Sequence, residues 1–124
     1  EKLTNQMGEA IESGLSLALY NKNSEVEVIH ILWGLLTNTS SVLNQLLNKM
    51  NVDKTAIELE AKSIAQKLPT ASTVTKENIK ISRNVIESLQ KAQGLMTSSG
   101  DSFLAVDTWI IANLQTKVFK DLFG

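Results

Sequence analysis

Apolar residues recur along this chain at helical spacing, and they do so twice. Leu3, Met7, Ile11, Gly14 and Ala18 step by 4, 4, 3 and 4 residues, and Ile81, Val85, Leu89, Ala92 and Met96 repeat the same steps. Each series marks one stripe of an amphipathic α-helix. The offset between the two is 78 residues without a gap, and it continues past the following turn. There Val26, Val28, Ile31, Leu32, Trp33 and Leu36 align with Leu104, Val106, Trp109, Ile110, Ile111 and Leu114, and Gly34 meets Ala112. Thr4 falls on Ser82, two N-cap residue types at equivalent helix starts. Gly14 falls on Ala92, small residues that favour close backbone approach on the same helical face. An offset held across two helices reads as an internal duplication.

A third helix follows in each copy, at a slightly different offset. Val42, Leu43, Leu46 and Leu47 share their spacing with Val118, Phe119, Leu122 and Phe123. The first copy then adds Asp53 as an N-cap and the stripe Ile57, Ala61, Ile64 and Leu68, with Pro69 as the stop. The second copy shows no such element before Gly124. The pattern therefore predicts an all-α fold of two tandem pseudo-twofold four-helix repeats in one globular bundle, the second lacking its last helix. Repeat one is expected over 3–68, a connector over 69–80 and repeat two over 81–124. The connector, PTASTVTKENIK, is polar and predicts an exposed loop. The pattern gives almost no support for strands. A missing eighth helix would leave apolar surface on repeat two uncovered, unless the last helix only rims the core.

Composition narrows the function classes. At 124 residues and 43% hydrophobic content, the chain suits one soluble domain. Its formal net charge is −1 and its Lys and Arg are scattered, which disfavours nucleic acid as a partner. Cys is absent, so there is no disulfide scaffold or thiolate metal site, and a reducing compartment is the natural setting. The longest apolar run, Ile31–Leu36, is far too short to span a membrane. The start at Glu1 without Met predicts a cut or processed piece.

Candidate chemistry is sparse. No phosphate loop of the Gly-x-x-x-x-Gly-Lys-Ser/Thr type occurs, and no nucleophile elbow or Ser–His–Asp order supports hydrolysis. The single histidine, His30, lies one turn from Glu27. One imidazole and one carboxylate fall short of a zinc ligand set, so His30 is expected to tie a helix start to a neighbouring loop. Ser24-x-x-Glu27 fits a capping box, with a helix start at Glu27 as the alternative. Trp33 and Trp109, at near-equivalent places in the duplication, are read as packing residues. No catalytic residue, metal site or cofactor is assigned.

The stretch GDSFLAVDTWIIANL sets two carboxylates, Asp101 and Asp107, against an apolar surface. Asp101 follows Gly100 in a turn, and Asp107 sits in the first turn of a helix, where a carboxylate complements the dipole. Both, like Thr4, are explained by cap and turn chemistry alone. Pseudo-twofold packing offers a second reading, because it would carry the first helix start towards the turn between the fifth and sixth helices. Polar groups would then converge beside apolar neighbours, the usual make-up of a peptide groove.

LTNQMGEAIESGLSLALYNKN followed by EVIHILWGLL resembles the opening repeat of the Clp N-terminal domain family. NVDKTAIELEAKSIAQKLP is similar to its fourth-helix segment and GDSFLAVDTWIIANL to its second repeat. The Leu3-Thr4-Asn5 start and the ungapped Glu27-x-x-His30 step resemble the ClpB-type AAA+ disaggregases. Departures are Met7 where an aromatic is common, Val28 where Pro is common, and Asp107-Thr108 where Glu-His is common. The resemblance implies a chaperone's substrate-binding module that captures apolar segments of unfolded or aggregated polypeptides. It implies substrate contacts at Thr4, Asp101 and Asp107, the last one methylene shorter than the usual Glu. ATP and Mg would belong to ATPase modules outside this chain, the parent would be a cytoplasmic hexamer that also meets other chaperones, and the isolated piece would be monomeric. The alternative within the family is an adaptor-docking domain of a Clp protease unfoldase. A helix-turn-helix DNA binder is a third class, disfavoured by the charge.

Overall fold

The computed structural model describes residues 3–37, 42–100, 103–113, 116–117 and 119–120. Four helices form the first half: α1 (Asn5–Tyr20), α2 (Val28–Thr37), α3 (Val42–Lys49) and α4 (Lys54–Gln66). The second half carries α5 (Arg83–Ser98) and α6 (Val106–Asn113), and Lys117, Phe119 and Lys120 are also helical. The helix starts follow the predicted caps. Thr4, Asp53 and Ser82 are extended, and each side-chain oxygen accepts a first-turn amide.

The duplication is visible in the backbone. Both α1 and α5 span 16 residues, with cap angles of −67°, 160° at Thr4 and −66°, 156° at Ser82. Both end the same way: the Asn21 N–H reaches the Leu17 carbonyl, and the Ser99 N–H reaches that of Leu95, each at 3.0 Å. The next residue is left-handed in both copies, Lys22 at φ 57° and Gly100 at φ 77°. Gly100 suits that conformation and Lys22 does not.

One expectation needs correction. Two short parallel strands exist, β1 (Glu25–Val26) and β2 (Lys80–Ile81), in the register Glu25 with Lys80 and Val26 with Ile81. The end of the polar connector is therefore part of the frame, and Asn23 also pairs with Thr70. Strands of two residues are too short to leave a period in the sequence. Their counterpart is the bridge of Leu3 with Leu104, each partner 78 residues from its mate in the Val26–Ile81 pair. The repeats are stitched reciprocally: the Ser82 N–H donates to Val26 O and the Thr4 N–H to Leu104 O, both at 3.0 Å.

The core runs through both halves. Helix α2 is buried from Val28 to Leu36, with α1 on one side and α4 on the other. Gly14 and Gly34 set the α1–α2 approach. A Cβ on Gly34 would stand 2.8 Å from Ser13 Cβ, and one on Gly14 would stand 3.1 Å from the Ile31 side chain. In the second half α5 packs on α6, and Trp109 meets Phe119 edge-on at 5.5 Å between ring centroids. Trp33 and Trp109 are both buried, the packing role predicted for them. The predicted third stripe is seen in buried Leu43, Leu47 and Phe119, whereas Val118, Leu122 and Phe123 lie outside the described residues.

Candidate functional site

Thr4 stands where the chain enters α1. Its Oγ1 accepts from the Met7 N–H at 3.2 Å, and its own N–H is committed to Leu104 O. The cap uses the oxygen as acceptor, so the hydroxyl proton is left to donate outward. Leu104 leads into α6 within three residues, and Asp107 sits in the first turn of that helix. Asp107 is exposed, with Oδ1 accepting the Thr108 N–H at 2.9 Å. Its second oxygen faces no described donor. Phe103, beside Leu104, is half exposed. The pairing of Leu3 with Leu104 thus brings the entries of α1 and α6 to one edge of the molecule. Asp101 lies outside the described residues.

Beside Thr4 lies an open hollow of about 620 Å³, lined by Leu3, Thr4, Asn5, Gly8, Glu9 and Glu12. Gly8 leaves the space open, since a Cβ there would meet nothing within 4 Å. Asp107 does not line this hollow. The sequence reading missed Asn5, Gly8, Glu9 and Glu12. Their spacing, the outward face of α1 interrupted by a glycine, was the available signal. With Glu9, Glu12 and Asp107 nearby and no basic lining residue, the edge suits N–H donors and cations better than anions.

His30 is a structural residue. Helix α2 begins at Val28, one residue after Glu27, the later of the two predicted starts, and His30 Nδ1 accepts the Glu27 N–H at 2.8 Å. That bond leaves the ring proton on Nε2, which donates to Asn23 Oδ1 at 2.8 Å. Asn23 Nδ2 in turn donates to the carbonyls of Pro69 at 3.2 Å and Leu68 at 3.4 Å. One buried imidazole therefore joins α2, the turn after α1 and the end of repeat one. Burial lowers its pKa to about 4. The Glu27 carboxylate turns away from His30: its Oε1 accepts from Ser82 Oγ at 2.9 Å. Among the described residues no three His, Asp or Glu side chains gather as a metal ion would require, and no helix is long and apolar enough to cross a membrane.

Comparison with known proteins gives this frame a family. The model of the Clp repeat N-terminal domain matches residues 2–123. The chaperone protein ClpB of Wolinella succinogenes is 54% identical over the whole chain, which spans 14% of that relative's length. The Hsp104 N-terminal domain of Candida albicans superposes with a TM-score of 0.87 at 23% identity, over 99% of this chain and 80% of that one. A ClpV N-domain in complex with a VipB peptide superposes with a TM-score of 0.75 at 23% identity, over 99% of this chain and 72% of that one. The chain belongs to the Clp repeat N-terminal domain family.

Proposed function

We propose that this chain is the substrate-binding N-terminal module of an ATP-dependent protein disaggregase. It would capture apolar segments of unfolded or aggregated polypeptides for threading by ATPase modules elsewhere in the parent protein. The observation that carries the reading is the pairing of Leu3 with Leu104, which sets the Thr4 hydroxyl and the Asp107 carboxylate on one edge beside half-exposed Phe103. Asp101 is counted with them on the strength of the family resemblance alone. Carboxylates and a hydroxyl bind backbone N–H groups of an extended segment, while Leu3 and Phe103 receive its apolar side chains. Such a site reads exposed backbone and apolarity, so it tolerates many sequences. Affinity is expected to be weak, because few contacts offset the cost of ordering a flexible chain.

The 54% identity to ClpB supports the disaggregase assignment, and the peptide-bound ClpV N-domain supports peptide binding by this fold. Cytoplasmic location, a hexameric parent and contact with other chaperones belong to the same proposal. It is tested by binding the domain to an unfolded, aggregation-prone protein, alongside the Asp101→Ala/Asp107→Ala double variant, with circular dichroism to verify folding. Loss of binding with helicity intact supports the site. Unchanged binding rejects it and turns the search to a folded adaptor.

A further inference from the structure

The helices α1 and α5 begin alike and differ at their fourth residue. At α5 the residue before the cap is Ile81 and the fourth helical residue is Ile86, the two positions of a hydrophobic staple. They are 48% and 47% exposed, so each side chain is about half covered at this helix start. Their mates at α1, 78 residues earlier, are Leu3 and Gly8. Repeat one therefore lacks the second staple side chain, and Leu3 and Gly8 both line the hollow beside Thr4. Neither usual reason for a glycine applies at Gly8. Its φ lies outside the left-handed region, and a Cβ there would meet nothing within 4 Å. A glycine inside a helix destabilises it relative to alanine, so what Gly8 provides is the space itself.

We propose that the hollow at Gly8 is a side-chain subsite for one aliphatic residue of an extended segment, flanked by a lysine or arginine. The inference rests on the capture reading above and names the kind of segment that its site selects. The aliphatic choice follows from the duplication, because repeat two places its own isoleucine at this position. In repeat one the captured segment supplies that side chain, beside Leu3. The basic neighbour follows from charge. Glu9 and Glu12 are exposed and line the hollow, and no basic residue lines it. Among the described residues neither carboxylate is paired with a cation. At α5 the mates of Glu12 and Ser13 are Gln90 and Lys91, so the acidic rim belongs to repeat one alone. The hollow, about 620 Å³, exceeds one side chain and leaves room for the flanking residue along Glu9 and Glu12.

The test is an NMR titration of the chain with an acetylated, amidated tetrapeptide, Ser-Ile-Lys-Ser. One analogue replaces its isoleucine by alanine, and another replaces its lysine by glutamate. The parent peptide is expected to shift the Leu3 and Gly8 amide resonances and to bind about tenfold more tightly than either analogue. Gly8→Ile, which installs the repeat-two residue, should keep the helix and erase the preference for isoleucine over alanine. A Glu9→Gln/Glu12→Gln variant should erase the preference for lysine over glutamate. Ile86→Gly should leave the affinity unchanged, which fixes α1 as the binding helix. No shift at millimolar concentration, equal binding of the isoleucine and alanine peptides, or a preference that survives Gly8→Ile overturns the subsite. Titrating an unfolded protein against Gly8→Ile separates this inference from the reading it rests on. Affinity lost in Asp101→Ala/Asp107→Ala but kept in Gly8→Ile retains capture and rejects the hollow. Affinity kept in the double variant but lost in Gly8→Ile retains the hollow and rejects the two carboxylates.

Discussion

At both junctions between the repeats, a helix-capping residue donates its N–H to the carbonyl preceding the other repeat's second helix: Ser82 to Val26, and Thr4 to Leu104. The backbone is the same and the side chains are not. At Ser82 the Glu27 carboxylate takes the cap hydroxyl at 2.9 Å, with Asn84 Nδ2 a further donor at 3.5 Å. In the register of Glu27 the other junction carries Ala105, so the Thr4 hydroxyl has no such partner. One junction thus uses its polar side chains to hold the repeats together. Its mate leaves a hydroxyl and the Asp107 carboxylate at the surface, where a ligand can meet them. Duplication supplies the frame twice, and at the second junction Thr4 still caps its helix but takes no carboxylate from the other repeat.

The comparison is broken most severely at His30, which repeat one uses and repeat two replaces with Thr108. His30→Ala opens a buried void and strands the Glu27 N–H and the Asn23 amide, an expected loss of about 4 kcal/mol in chemical denaturation. Thr108→Ala should fall within about 0.5 kcal/mol of the parent.

Acid probes the same bond more gently. The folded pKa of His30, about 4, lies below its ordinary 6.5, so the neutral form is favoured by folding. Its contribution is complete above pH 6.5, declines as pH falls towards 4, and amounts to about 3 kcal/mol in full. Urea titrations at pH 7 and pH 4 should show that loss in the parent and not in His30→Gln. An equal loss in both proteins would assign the acid sensitivity to carboxylates.

Packing gives a smaller contrast. Gly34→Ala places a Cβ 2.8 Å from Ser13 Cβ and should cost about 2 kcal/mol by overpacking. Its mate Ala112 already carries that methyl, so repeat two accommodates it, and thermal melts of Gly34→Ala and Ala112→Gly measure the difference. Helix ends give the smallest effect. Gly100→Ala should cost about 1 kcal/mol at φ 77°, while Lys22→Gly, relieving the same conformation at φ 57°, should be neutral or slightly stabilising.

Much of this was legible in the sequence. The stripes, the caps Thr4, Ser82 and Asp53, and the close approach at Gly14 each leave a periodic or compositional mark, because helix burial repeats every three to four residues. The reciprocal strands left none, since a bridge of one or two residue pairs has no period. The hollow beside α1 was missed because Gly8 marks it by an absent side chain. The site residues were reached through family resemblance rather than pattern, as cap chemistry alone accounts for Thr4 and Asp107.

The division of labour between the junctions is tested most directly by pairing stability with binding for Glu27→Ala and Asp107→Ala. Each variant would be denatured in urea and titrated against the same unfolded protein. The account predicts that Glu27→Ala loses about 1 kcal/mol of stability and keeps its affinity. It predicts that Asp107→Ala keeps its stability within about 0.5 kcal/mol and loses about tenfold in affinity. Equal affinity loss in both, or loss in Glu27→Ala alone, would contradict it.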